Sequence, residues 1–200
     1  DQSQPCQIIA DIMTLEDYGG SVAGRKVAWV GDGNNVAASW VHAAAKLGFT
    51  LSVATPAQLK LPQEVIAWAR ENDADLIATD DPAAAVADAD CVVTDTWVSM
   101  GQQDEKQARI QLLSPYAVDA DLMQKAKSGA VFMHCLPAYR GHEVSAEVID
   151  GPQSVVFDEA ENRLHAQKAI LAWCLGARCR QSIVRPCGPS RLHLRGVSIA

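Results

Sequence analysis

Five short apolar runs punctuate the chain: "KVAWV" at 26–30, "TLSVA" at 50–54, "DLIAT" at 75–79, "CVVTD" at 91–95 and "AVFMHCL" at 130–136. Between them lie segments with helical spacing. This alternation constrains the fold more than any other feature. Strand and helix in turn build a mostly parallel sheet with helices on both faces. Runs this apolar suit strands buried on both sides. The predicted class is therefore α/β and doubly wound. A further strand is predicted at "SVVFD", 154–158. Helices are predicted over 7–18, 35–47 and 63–73, as a short helix in "DPAAAVADA", near 118–127 and 144–149, and over 161–175. Gly19-Gly20 closes the first of these and Gly48 the second.

In such folds ligands bind just past the carboxyl ends of the strands. Four polar clusters are predicted at that edge. The first is "GDGNN", 31–35. It opens like a dinucleotide turn but lacks the third glycine, since Val36 stands there. The second strand ends in Ala54-Thr55-Pro56 with no acid to hold a ribose. The turn still offers backbone N–H groups and the Asn35 amide, a donor and acceptor suited to an amino acid's charged groups. Asn34 or Asn35 serves equally well as a plain N-cap. The second cluster is "TDTWVSMG", 94–101, where Asp95 can pair with an ammonium group and Ser99 and Met100 add hydrogen-bonding groups. The alternative is a turn cap. The third is "MHCLPAYRG", 133–141. Cys135 there reads as a nucleophile, a proton acceptor or a substrate contact, against the alternative of an inert buried thiol. The fourth is "FDEAENRLHAQKAI", 157–170. Arg163 is predicted in the first turn of its helix, where cations are disfavoured, so an anion such as phosphate would explain it. A salt bridge to Asp158 or Glu159 is the alternative.

Charge and cysteine usage exclude other classes. The net charge of −7 argues against nucleic acid as a partner. All 24 acidic residues precede position 176, whereas Arg178, Arg180, Arg185, Arg191 and Arg195 follow it. That break marks residues 176–200 as an atypical basic tail, expected to be disordered. Cysteines at 6, 91, 135, 174, 179 and 187 form no C-x-x-C pair, so zinc-finger and thioredoxin readings fail. Free thiols suit a reducing cytoplasm. No apolar run nears the roughly 20 residues that span a bilayer, and residues 1–18 lack the basic start of a signal peptide.

"GDGNN", "DTWVSMG", "HCLPAYRG" and "FDEAENRLHAQKA", in that order and at familiar spacings, resemble the ornithine-domain motifs of the ornithine carbamoyltransferase family. The resemblance runs from about residue 5 to about 175. It implies a Rossmann-like domain at 20–175 that binds ornithine and an interdomain helix at 1–19. It also implies transfer of a carbamoyl group from carbamoyl phosphate to the δ-amine of ornithine, without metal or organic cofactor. It assigns Asn35, Asp95, Ser99 and Met100 to ornithine's amino-acid end. Cys135 and Leu136 would line the reacting centre, Cys135 as proton acceptor or δ-amine contact. Gln7 and Arg163, with Cys135 and Leu136, would meet carbamoyl phosphate. The family's full-length enzyme is a homotrimer; this chain is expected to be a monomer or to associate weakly, and to be cytoplasmic.

The chain also departs from the family pattern. No Ser-x-Arg-Thr phosphate loop occurs, and the family's carbamoyl-phosphate domain is expected to precede this segment. Gln4 stands where His-Pro-x-Gln would open with histidine. The chain alone is therefore expected to bind ornithine weakly without turnover. The competing readings are a non-catalytic amino-acid-binding paralogue, a fragment of an NAD-type oxidoreductase, and a relative acting on putrescine.

Overall fold

A computed structural model describes residues 3–98 and 106–176. The predicted α/β class is what it shows. The elements run α1 (Pro5–Gly19), β1 (Lys26–Val30), α2 (Asn35–Leu47), β2 (Thr50–Ala54), α3 (Gln63–Glu71) and β3 (Leu76–Thr79). They continue with α4 (Pro82–Val86), β4 (Cys91–Thr94), α5 (Lys106–Leu113), α6 (Ala120–Met123), β5 (Val131–His134), α7 (Ala146–Ile149) and α8 (Val156–Cys174). The five strands form one sheet in the order β3-β2-β1-β4-β5, every pairing parallel. All five carboxyl ends therefore share one edge. The order reverses between β1 and β4, and the crevice at such a reversal is where ligands bind.

Four of the apolar runs are strands with both faces covered; β3, at the edge of the sheet, departs from the expected burial, with Ile77 47% exposed. Val27 and Trp29 point into a layer with α1, α2 and α3, while Ala28 and Val30 point into a second layer with α4, α6 and α7. Residues 27–30 are all fully buried. Each buried Val or Leu contributes about 1.5–3 kcal/mol by leaving water. Trp40 on α2 meets Phe49 edge-on, with ring centroids 5.9 Å apart. Gly48 ends α2 in the left-handed conformation that glycine adopts without penalty.

One expected strand is not there. Residues 154–158 make a single ladder contact, Ser154 beside Phe132, and α8 then begins at Val156. The β-branched pair Val155-Val156 is buried and reads as strand from sequence. Asp158 and Glu159 in the first turn favour the helix instead, because acids suit the positive end of its dipole. Arg163 thus sits about two turns into α8, not in its first turn, so the helix dipole gives no reason for it. Helix α5 also went unread within the long connection after Asp95. The expected disorder of 176–200 concerns residues 177–200, which lie outside the described residues. Among the described residues no helix is long and apolar enough to cross a membrane.

Gly33 shows how tightly the first turn is built. Its N–H donates to the Leu59 carbonyl at 2.8 Å. A Cβ at this position would lie 2.5 Å from the Leu61 nitrogen, against backbone that cannot step aside. Gly33→Ala should therefore cost about 1–3 kcal/mol in urea unfolding. Gly24→Ala is the comparison: its φ of 75° is positive, unlike that of Gly33, but the space around its Cβ is open, and it should cost about 1 kcal/mol.

Candidate functional site

The loops after β1, β4 and β5 meet at the Asp95 carboxylate. Asn34 is the N-cap of α2: its Oδ1 accepts from the Val36 and Ala37 N–H groups at 2.9 and 3.0 Å. Its Nδ2 donates to Asp95 Oδ2 at 2.8 Å. Asp95 Oδ1 accepts from the Thr96 N–H at 2.7 Å and from Cys135 Sγ at 3.0 Å. One carboxylate thus ties three segments that are 61 and 40 positions away in the chain.

The two asparagines divide the work differently from the sequence expectation. Asn34 caps the helix and braces Asp95. Asn35, the first residue of α2, uses its carbonyl to accept from the Ser39 hydroxyl at 2.8 Å. Its half-buried side-chain amide makes no hydrogen bond among the described residues. That leaves it available at a helix N-terminus. Ser99 and Met100 lie outside the described residues.

Burial, and then the neighbouring Asp95 charge, raise the Cys135 thiol far above its ordinary range. Near neutral pH it is a protonated donor to Asp95, not a thiolate base. The next residue, Leu136, has φ of 53°, an uncommon conformation for a bulky side chain. Its N–H donates to His134 Nδ1 at 2.9 Å. The fully buried His134 ring then turns its Nε2 toward Glu143, 3.5 Å away. Glu143 in turn accepts from the Tyr139 N–H at 2.5 Å, so the loop is laced from both ends. Asp95, His134 and Cys135 each bring a ligand atom within 4.8 Å of the others. They do not make a metal site, because Nδ1 is taken by Leu136 and Nε2 is turned to Glu143.

A second group sits where α1 and α8 cross. Gln7 is buried and its Nε2 donates to Asp11 Oδ1 at 2.7 Å and Glu159 Oε1 at 3.1 Å. Its Oε1 accepts from Arg163 Nη1. Arg163 Nε is buried with no partner among the described residues. Glu159 Oε2 accepts the His134 N–H at 2.9 Å, which joins this group to the Cys135 loop. Arg163 therefore bonds Gln7 rather than Asp158, whose carboxylate takes the Tyr18 hydroxyl. The first turn has its own brace: Arg109 on α5 pairs with Asp32 and donates from Nε to the Trp97 carbonyl at 2.9 Å.

Residues 23–174 match the family described as aspartate/ornithine carbamoyltransferase, Asp/Orn binding domain. The chain belongs to that family. Its relatives include the ornithine carbamoyltransferase of Nitrobacter winogradskyi, 61% identical over 176 residues that make up 88% of this chain and 57% of the relative. That of Rhodopseudomonas palustris is 58% identical, with 88% and 56% covered. Among solved structures, the Pyrococcus furiosus ornithine carbamoyltransferase superposes with a TM-score of 0.83 at 49% identity, covering 89% of this chain and 58% of that one. The Giardia lamblia ornithine transcarbamoylase gives 0.80 at 34%, with 88% and 60% covered. The chain thus spans a little over half the length of the relatives it matches. Membership removes the oxidoreductase reading, for which β2 had already offered no acid at its end.

Asn34 entered the sequence reading only as an alternative N-cap and Glu159 only as an alternative partner of Arg163, whereas Arg109, Asp11, His134 and Glu143 did not enter it as site residues. Two of them carried a signal. Asp11 lies four residues after Gln7, and Glu159 four before Arg163. On a helix, residues four apart share a face, so each was on the same side as a residue already singled out. A cavity of about 400 Å³ lined by Thr55, Lys60, Arg70, Thr79 and Asp80 lies past β2 and β3, and includes none of the site residues.

Proposed function

We propose that this chain is the ornithine-binding part of an ornithine carbamoyltransferase, and that carbamoyl transfer to the δ-amine requires the rest of the enzyme. The observation that carries this reading is the Asp95 carboxylate, held by Asn34, Thr96 and Cys135 at the reversal of strand order. A carboxylate fixed in that crevice suits an amino acid's ammonium group. The Asn35 amide at the N-terminus of α2, without a partner among the described residues, suits a carboxylate.

The chemistry asks for a neutral amine. A primary amine of pKa about 10.4 must shed a proton, which near pH 7 costs about 4–5 kcal/mol. A half-buried site lowers that cost by disfavouring the ammonium form. Of the two roles the resemblance offers Cys135, contact with the δ-amine fits a neutral thiol, and the role of base does not. Arg163 and Gln7 would face the departing phosphate, where a guanidinium stabilises developing charge. The outer face of α8 exposes Phe157, Leu164 and Leu171 at seven-residue intervals. We read that apolar face as the contact surface for the remainder of the enzyme.

Calorimetric titration tests the reading. L-ornithine should give saturable heat with the purified chain, and L-aspartate should give none. No citrulline should form when carbamoyl phosphate is added. Equal heats with ornithine and aspartate, or none with either, would reject the assignment.

A further inference from the structure

Asp11 and Glu159 are each 1% exposed, sit on facing helices, and accept from the same Gln7 Nε2, Asp11 Oδ1 at 2.7 Å and Glu159 Oε1 at 3.1 Å. Two carboxylates brought this close on one buried nitrogen repel each other unless one keeps its proton. Nothing in the transfer chemistry requires an acid pair here. What it touches is informative. Gln7 carries Arg163 on its Oε1, and Glu159 carries the His134 N–H, one residue before Cys135.

We propose that Asp11 and Glu159 are positioning residues that share one proton and thereby hold Gln7, Arg163 and the 134–136 backbone in their substrate-facing arrangement. This deepens the proposed function and rests on it for the identity of the ligand. With the proton in place, an Asp11 hydroxyl donates to Glu159, and Glu159 keeps both oxygens for the His134 and Gln7 donors. Once the proton is lost, two buried charges face one another. Arg163 on α8 opposes them, and it reaches Gln7 rather than either acid. The other titratable groups around the pair are Cys91 on β4 and His134 and Cys135 at the end of β5. Both thiols are held protonated by burial and add no charge.

Burial is the larger influence on both acids. It raises Asp11 well above the carboxylate range and brings Glu159 up to about 7. An acid raised on folding holds a proton that the unfolded chain releases near pH 4. The pair's contribution to stability is therefore complete below about pH 4 and is lost as pH rises through about 7.

Three measurements on the 200-residue chain decide the matter. The first is the melting midpoint across about pH 5 to 8, which should fall by roughly 3 °C or more in the wild type. In Asp11→Asn the amide keeps the acceptor for Gln7 and the donor to Glu159 but has no proton to lose, so the fall should flatten. A slope equal to the wild type's overturns the shared proton. The second is amide exchange. Glu159→Ala should speed exchange at His134 and Leu136 by roughly tenfold, while Asp11→Asn leaves it near wild type. Unchanged exchange in Glu159→Ala overturns the positioning role. The third is ornithine affinity, expected to drop at least about tenfold in Glu159→Ala and less than about threefold in Asp11→Asn. Should Glu159→Ala fail to fold, Glu159→Gln takes its place in the exchange arm. Wild-type chain that gives the expected pH slope and exchange pattern but no heat with ornithine would support the pair and reject the proposed function.

Discussion

Trp29→Ala is expected to cost about 3–5 kcal/mol in unfolding free energy, enough to lower the melting midpoint by roughly 10 °C. Trp29 is fully buried in the central strand, opposite Val53 on β2 and Val93 on β4. Truncation leaves a large void between the sheet and α2, and a close-packed interior refills such a void only in part. The indole does a second job. Its Nε1 donates to the Asp32 carbonyl at 2.9 Å, pinning the turn that leads to Asn34 and Asn35. Trp29→Phe separates the two roles: it keeps most of the packing, loses the pin, and should cost only about 1–2 kcal/mol. Urea unfolding with both variants checks this, and a Trp29→Ala loss below about 1 kcal/mol would contradict the packing described.

Asp95→Asn is expected to weaken ornithine binding by about 1–3 kcal/mol, roughly 5- to 150-fold. The carboxylate loses its charge and one of its oxygens becomes a donor. That donor must face either the Asn34 amide or the Cys135 thiol, both of which already donate. The ligand's ammonium group thus loses its counter-charge and the loops lose their common acceptor. Asn34→Ala should be milder for binding and harsher for folding, because it removes the cap on two α2 N–H groups, worth about 1 kcal/mol. Calorimetry and thermal melts of the pair distinguish charge from scaffolding. Asp95→Asn binding ornithine as well as the wild type would remove the carboxylate from the site.

How legible this was from sequence depends on the element. The five strands could be read because they are apolar on both faces, and a run such as Val27–Val30 has few other fates. The stretch 154–158 misled for a physical reason. Two adjacent β-branched residues look like strand, but Val155 and Val156 are buried at the start of a helix whose acids suit its first turn. Helix α5 has almost no apolar stripe, since only Leu113 is buried among its residues, so periodicity had nothing to report. In the site, Asp95 and Cys135 were visible as polar residues at strand ends. Their bond was not, because nothing local encodes a contact between positions 40 apart. The buried acids Asp11 and Glu159 hid among surface-looking residues. An acid is almost never buried without a partner, and Glu159 takes its partners from distant segments, Gln7 on α1 and the His134 N–H at the end of β5.

The central claim is that loops after three strands form one amino-acid site. Titrating L-ornithine into the isotope-labelled chain while following backbone amides tests it most directly. Shifts concentrated together at residues 33–36, 95–98 and 134–136, saturating with one affinity, are what the account predicts. Shifts confined to one of these loops, or gathered instead around Lys60 and Arg70, would contradict it.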